Sequence, residues 1–157
     1  MLLIADTTVI SNFSLIARLD LLDEIKSLCT TEEVWCELDV AMRRAVLKID
    51  RAELRAKVLK MDKDEMESFH RLSARFGRGE ASFLAIALHR NAGILTDDLD
   101  ARRFAQRGDI PVSGSIGILV KCVTGGNLSL EQGNALLSRM IQKGFFSPVD
   151  SLNQFLP

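Results

Sequence analysis

Histidine, cysteine and long apolar runs are all scarce in this chain of 157 residues, and each scarcity removes a class of function. The two histidines, His70 and His89, lie far apart with no second histidine at ligand spacing, which argues against a zinc site. Both read as surface or helix-end residues. The three cysteines, Cys29, Cys36 and Cys122, are odd in number, lack CxxC spacing and fall in apolar segments. They read as reduced core thiols of a cytoplasmic protein, not as a disulfide framework. Apolar stretches such as 81–88 and 116–120 are far below the roughly 20 residues that span a bilayer, and no basic-then-apolar leader precedes Leu2. The expectation is a soluble, unprocessed protein without membrane contact. Repeats, low-complexity tracts and flexible linkers are also missing, so one compact domain over 1–157 is expected, burying roughly 68 to 70% of its unfolded surface.

A net charge of −1 gives no global attraction to nucleic acid, but the charge is unevenly placed. Between Met42 and Lys60 stand Arg43, Arg44, Lys48, Arg51, Arg55, Lys57 and Lys60 against Asp50 and Glu53, which leaves that segment at +5 and the remainder at −6. Such a segment is either a solvated helical face or a track for a phosphate backbone.

Short apolar runs alternate with longer helical patterns. Residues 2–5 suit a buried strand that ends at Asp6, and 9–16 then carry apolar residues at helical spacing. A second short helix is expected over 19–28 and a strand over 28–31, with Thr30 or Thr31 capping the helix through Trp35 and Leu38. The middle, 41–76, has few glycine or proline breaks and reads as helices with one short strand at 57–61. Gly77-Arg78-Gly79-Glu80 launches a helix apolar nearly all round, which is therefore central. Asn91-Ala92-Gly93 closes it. Beyond lie a strand at 94–96, a helix over 97–107, a strand at 110–112, a helix from near Ser115 and another over 130–142. This alternation implies an α/β sandwich around a mostly parallel sheet of about four to five strands.

In that architecture ligand groups gather at the carboxyl ends of strands, where Asp6 and Asp98 fall. With Glu37 and Glu80 they make four carboxylates that a strand-helix fold would bring together. Each has a structural explanation as well: Asp is a favoured helix N-cap, Glu80 stands near a helix start, and Glu37 alone would be an ordinary helix residue. Jointly they suit a divalent cation, since clustered acids repel one another without one. Two other acid-pocket folds fail at named positions. A dehalogenase-type phosphatase wants a second Asp where Thr8 stands. A receiver domain wants an acidic pair where Asp6 is followed by Thr7, and a Lys where 110–112 is followed by Ser113 and Gly114.

The stretches Ile4-Ala5-Asp6-Thr7-Thr8-Val9-Ile10, Val34-Trp35-Cys36-Glu37-Leu38, Gly79-Glu80-Ala81 and Leu95-Thr96-Asp97-Asp98 resemble, in this order and spacing, the PIN-domain family. These are metal-dependent nucleases that include the VapC-like toxins of prokaryotic toxin–antitoxin pairs. The run from Pro111 to Leu119 is similar to an uncharacterised prokaryotic subgroup of that family, and the resemblance covers Leu2 to about Leu137. It implies a Rossmann-like fold with helices on both faces. It further implies an endoribonuclease in which Asp6, Glu37, Glu80 and Asp98 bind Mg²⁺ or Mn²⁺, with Thr7, Thr8 and Thr96 bonding to those carboxylates. Asp97 could replace or supplement Asp98. Family toxins often carry Asp where this chain has Glu80, one methylene longer. Arg78, Arg102 and Arg103 flank the acids in sequence and either meet substrate phosphates or pair locally, Arg102 or Arg103 with Asp98 or Asp100. The partners implied are single-stranded or structured RNA, an antitoxin protein and a second copy in a homodimer. A non-catalytic module on the same scaffold, binding RNA or protein, is the alternative. The tail over 129–157 packs either on the core or on a partner.

Overall fold

A computed structural model of the chain describes residues 1–50 and 52–157; Arg51, one of the seven cations of the basic segment, lies outside the described residues. Five strands form one parallel sheet in the order β3-β2-β1-β4-β5. They are β1 (Leu2–Ala5), β2 (Leu28–Thr31), β3 (Lys57–Leu59), β4 (Ala92–Leu95) and β5 (Val112–Ser113). β1 is central, pairing Leu3 with Leu28 on one side and Leu2 through Ala5 with Ala92 through Leu95 on the other. The chain winds outward from β1 to β3, then returns to lay β4 on the opposite flank. Strand order therefore reverses at β1 and β4, the place where an open parallel sheet leaves a crevice.

The described residues form eight α-helices, of which the first six lie between strands and the last two follow β5: α1 (Thr7–Leu15), α2 (Asp20–Asp23), α3 (Glu32–Arg43), α4 (Lys63–Leu72), α5 (Arg78–His89), α6 (Leu99–Arg107), α7 (Ser115–Thr124) and α8 (Leu130–Gln142). α5 lies across β1, β2 and β4 and touches α3, α4 and α6, while α1 sits with α7 and α8. Every residue of α5 from Ala81 to Ala87 is buried, as an all-round apolar helix requires. Phe83, Leu84 and Ile86 of this helix pack in one core with Ile4, Ile94 and Phe13, each fully buried. Burial of one such side chain contributes about 1.5 to 3 kcal/mol. The helix starts carry the expected caps: Asp6 accepts from the Val9 amide, Thr31 from Val34, Asp98 from Ala101 and Ser129 from Gln132.

Several expectations need correction. The helix expected over 19–28 is only the four residues of α2, because the backbone there closes i to i+3 turns, such as Leu22 onto Leu19 and Ile25 onto Leu22. The helical reading of 41–76 fails over the described residues between α3 and β3. Ala45 takes a left-handed φ of 56°, which ends α3, and Leu47, Ile49 and Leu54 then pin an irregular chain to the body one side chain at a time. The solvated face offered for the basic segment is accordingly not helical. β3 stops at Leu59, β4 begins two residues earlier than expected, at Ala92, and β5 is the pair Val112–Ser113. Cys29 and Cys122 are buried, but Cys36 is exposed on α3, so only two of the three free thiols belong to the core. Beyond α8, Leu152 is fully buried and its amide donates to Asn134 Oδ1 at 2.7 Å, which fastens the chain's end to α8. No helix among the described residues is long and apolar enough to cross a membrane.

Candidate metal centre

Asp6 stands where β1 passes into α1 and is 2% exposed. Its Oδ1 accepts from Thr8 Oγ1 at 2.6 Å and from the Val9 amide at 3.1 Å, and its Oδ2 accepts from Thr96 Oγ1. Thr96 Oγ1 in turn accepts from the Asp98 amide at 3.1 Å. One hydroxyl therefore ties the acid after β1 to the acid after β4. Despite three donors, burial pushes the Asp6 carboxyl up to about 7, with the charge of Asp97 adding to the rise. Desolvation thus outweighs hydrogen bonding at this residue.

Glu37 projects from the second turn of α3, half-buried. Thr7 Oγ1 donates to its Oε2 at 2.5 Å and the Gly79 amide to its Oε1 at 2.9 Å. Gly79 is required here by close approach: a Cβ on it would lie 2.5 Å from Glu37 Oε1 and 2.6 Å from Oε2. Thr31 Oγ1 hydrogen-bonds Ser82 Oγ at 2.7 Å, and Ser82 Oγ donates to the Gly79 carbonyl at 2.7 Å, so the starts of α3 and α5 are locked together beneath Glu37. Glu80 sits one residue further along the first turn of α5, with its carboxyl raised by burial first and then by the charges of Glu37 and Asp98; the Glu80 and Gly77 amides oppose the rise. Amide dipoles at this helix start favour both glutamates as anions.

Asp98 caps α6, its Oδ1 accepting from the Ala101 amide at 2.8 Å. Its neighbour Asp97 is used differently. Asp97 Oδ1 accepts from the Ser115 amide at 2.9 Å, and Oδ2 accepts from Ser115 Oγ at 2.5 Å and Asn12 Nδ2 at 3.0 Å. The Asp97 amide donates to Thr8 Oγ1 at 2.9 Å. Asp97 is thus a clasp between β4, α1 and α7. The sequence marks Ser115 only as a helix start and does not single out Asn12, although an amide between the buried Ile10 and Phe13 of α1 is a signal.

The arginines have local partners. Arg78 lies over the Phe69 ring at 5.2 Å, Arg102 Nη1 donates to the Thr96 carbonyl at 2.8 Å, and Arg103 Nη1 stands 3.8 Å from Asp100. Among the described residues no Lys or Arg pairs with Asp6, Glu37, Glu80 or Asp98. At the front of the basic segment Arg43 and Arg44 end α3, some 9 Å or more along its axis from Glu37, and the Lys48 carbonyl is held by Ser14 at the far end of α1.

A family model described as a PIN domain matches residues 2–157. The chain belongs to the PIN-domain family. No curated protein and no solved structure matches it. PIN domains generally are nucleases that use divalent metal ions. In this PIN domain the donor set fits such an ion in chemistry and charge: the groups are all carboxylate oxygens, burial and the charges of Glu37 and Asp98 raise the proton affinity of Glu80, and among the described residues no cationic side chain pairs with them. The side chains do not close around one point, since among the described residues no three acids, histidines or cysteines stand as a ready-formed cage.

Proposed function

We propose that this PIN domain, read as one unit over 1–157, is a Mg²⁺- or Mn²⁺-dependent endoribonuclease with Asp6, Glu37, Glu80 and Asp98 as its acidic centre. The carrying observation is Asp6: a carboxyl buried at the sheet's switch point, short of a compensating cation and linked through Thr96 to Asp98. A divalent cation, when bound, supplies acidity to the attacking water and positive charge for the transition state. The chain's own contribution is positional. Thr8 and Thr96 fix the Asp6 carboxylate, Thr7 and the Gly79 amide fix Glu37, and Asp97 holds β4 to α7 so that Asp98 keeps its place. Hydrolysis forms a bond from water oxygen to phosphorus and breaks the bond to the leaving oxygen, which takes up the proton the water loses.

The experiment is Mn²⁺-dependent cleavage of single-stranded RNA by the parent and by Asp6→Asn. Turnover by the parent alone supports the proposal, and equal turnover by the two refutes it. A second reading, a module that binds RNA or protein and cleaves nothing, is favoured by the unclosed set of acids; it predicts binding without turnover at any Mn²⁺ concentration. The finer assignment to the toxin half of a toxin–antitoxin pair follows from the family resemblance. Its test is growth arrest on expression, relieved by the product of the adjoining reading frame.

A further inference from the structure

A groove of about 1080 Å³ opens beside the acidic centre, with Thr8, Asp97 and Asp98 lining one end. Its apolar walls are Ile116 and Val120 of α7 and, from the chain beyond α8, Phe145, Phe146 and Phe155. Phe146 is 91% exposed and Phe155 46% exposed. Large rings left in water beside a charged centre mark a surface that receives something apolar.

The occupant is indicated by position and by the aromatic wall. A polymer whose scissile phosphate lies at Asp6 and Asp98 has its next nucleotide one backbone repeat away, and the same groove is lined by Asp98 and by Phe146. Three carboxylates, Asp97, Asp98 and Asp100, and two guanidiniums line the groove, Arg102 bonded to the Thr96 carbonyl and the exposed Arg103 standing 3.8 Å from Asp100. The aromatic wall is suited to a flat, neutral face. An unpaired, unstacked base offers such a face, whereas bases within a helix bury theirs.

We propose that the groove is a base-stacking subsite for single-stranded RNA, in which Phe146, supported by Phe155, takes the face of a nucleobase flanking the cleaved phosphate. The proposal rests on the nuclease reading for the strand's position, and binding tests it apart from turnover. The full chain is titrated, by fluorescence anisotropy, into a dye-labelled single-stranded oligoribonucleotide with Ca²⁺ present. Base–aromatic stacking contributes about 1 to 3 kcal/mol, so Phe146→Ala should weaken binding about fivefold or more, while Phe146→Trp should retain it. An oligonucleotide with an abasic site at the stacked position should bind the parent and Phe146→Ala alike. Equal affinity of parent and Phe146→Ala for the intact oligonucleotide overturns the subsite, as does failure of the parent to bind RNA. If Phe146→Ala instead abolishes self-association in sedimentation with RNA affinity unchanged, the groove belongs to a second copy and the proposal falls. Phe146-dependent binding without Mn²⁺-stimulated cleavage would sink the hydrolytic reading and leave the subsite standing. Cleavage indifferent to Phe146 would do the reverse.

Discussion

Asp6 concentrates the electrostatic cost of this site in one side chain. Its carboxyl holds a proton up to about 7 in the folded chain, against an ordinary value of 3.8, and burial is the chief cause. Between those two values the folded state binds more protons than the unfolded state, so this residue's contribution to stability falls as pH rises through that window. Without metal, Asp6→Asn should be more stable than the parent at pH 8, by on the order of a few kcal/mol at most, and so melt at a higher temperature, and the two should converge near pH 4. Parallel melting curves across that range would show that Asp6 is not strained by its charge. Gly79 provides a complementary test. Ala is about 1 kcal/mol better than Gly within a helix, so Gly79→Ala should leave the fold intact while its methyl displaces the Glu37 carboxylate. The expected outcome is a clear loss of Mn²⁺ affinity in calorimetric titration with an unchanged or higher melting temperature; unchanged affinity would remove Glu37 from the site. Asp6, Glu80 and Asp98 were legible in the sequence because each follows a strand or opens a helix, whereas Glu37, in the second turn of α3, was legible only in company with them. The adjacent Asp97 and Asp98 were not separable there, since their difference lies in partners 18 and 85 residues away in the chain.

Among the elements, Asp97 does for β4, α1 and α7 what a cap does for one helix. Removing it orphans the Ser115 amide and hydroxyl, an effect of about 1 to 3 kcal/mol per buried group left unsatisfied, and leaves Asn12 Nδ2 with Ser115 Oγ alone. Asp98→Ala loses one cap bond, typically about 1 kcal/mol. Urea unfolding should therefore show Asp97→Ala as the more destabilised variant, and cleavage assays should show Asp98→Ala as the less active one. The opposite order in either measurement would exchange their roles. α5 and α8 could be read from sequence because the Gly77 to Glu80 turn and Ser129 mark their starts and one periodicity runs through each. The irregular chain before β3 could not. Its path is set by Ala45 leaving the helical region and by Leu47, Ile49 and Leu54 finding separate places in the core, and none of these leaves a local pattern.

At the scale of the molecule, the reversal of strand order at β1 and β4 brings together acids separated by up to 92 residues, from Asp6 to Asp98. The groove beyond Asp98, walled by the chain after α8, extends the acidic crevice into an apolar one. A cation that binds only the folded chain should raise its stability by about 2.7 kcal/mol at a hundredfold excess over the dissociation constant, chiefly by relieving Asp6. The most direct measurement is the anomalous diffraction signal of Mn²⁺ in crystals of the full chain. One ion, or a close pair, liganded by Asp6 and Asp98 with Glu37 or Glu80 completing the shell is the predicted result. Manganese found away from Asp6, or no ordered manganese at saturating concentration, would contradict it.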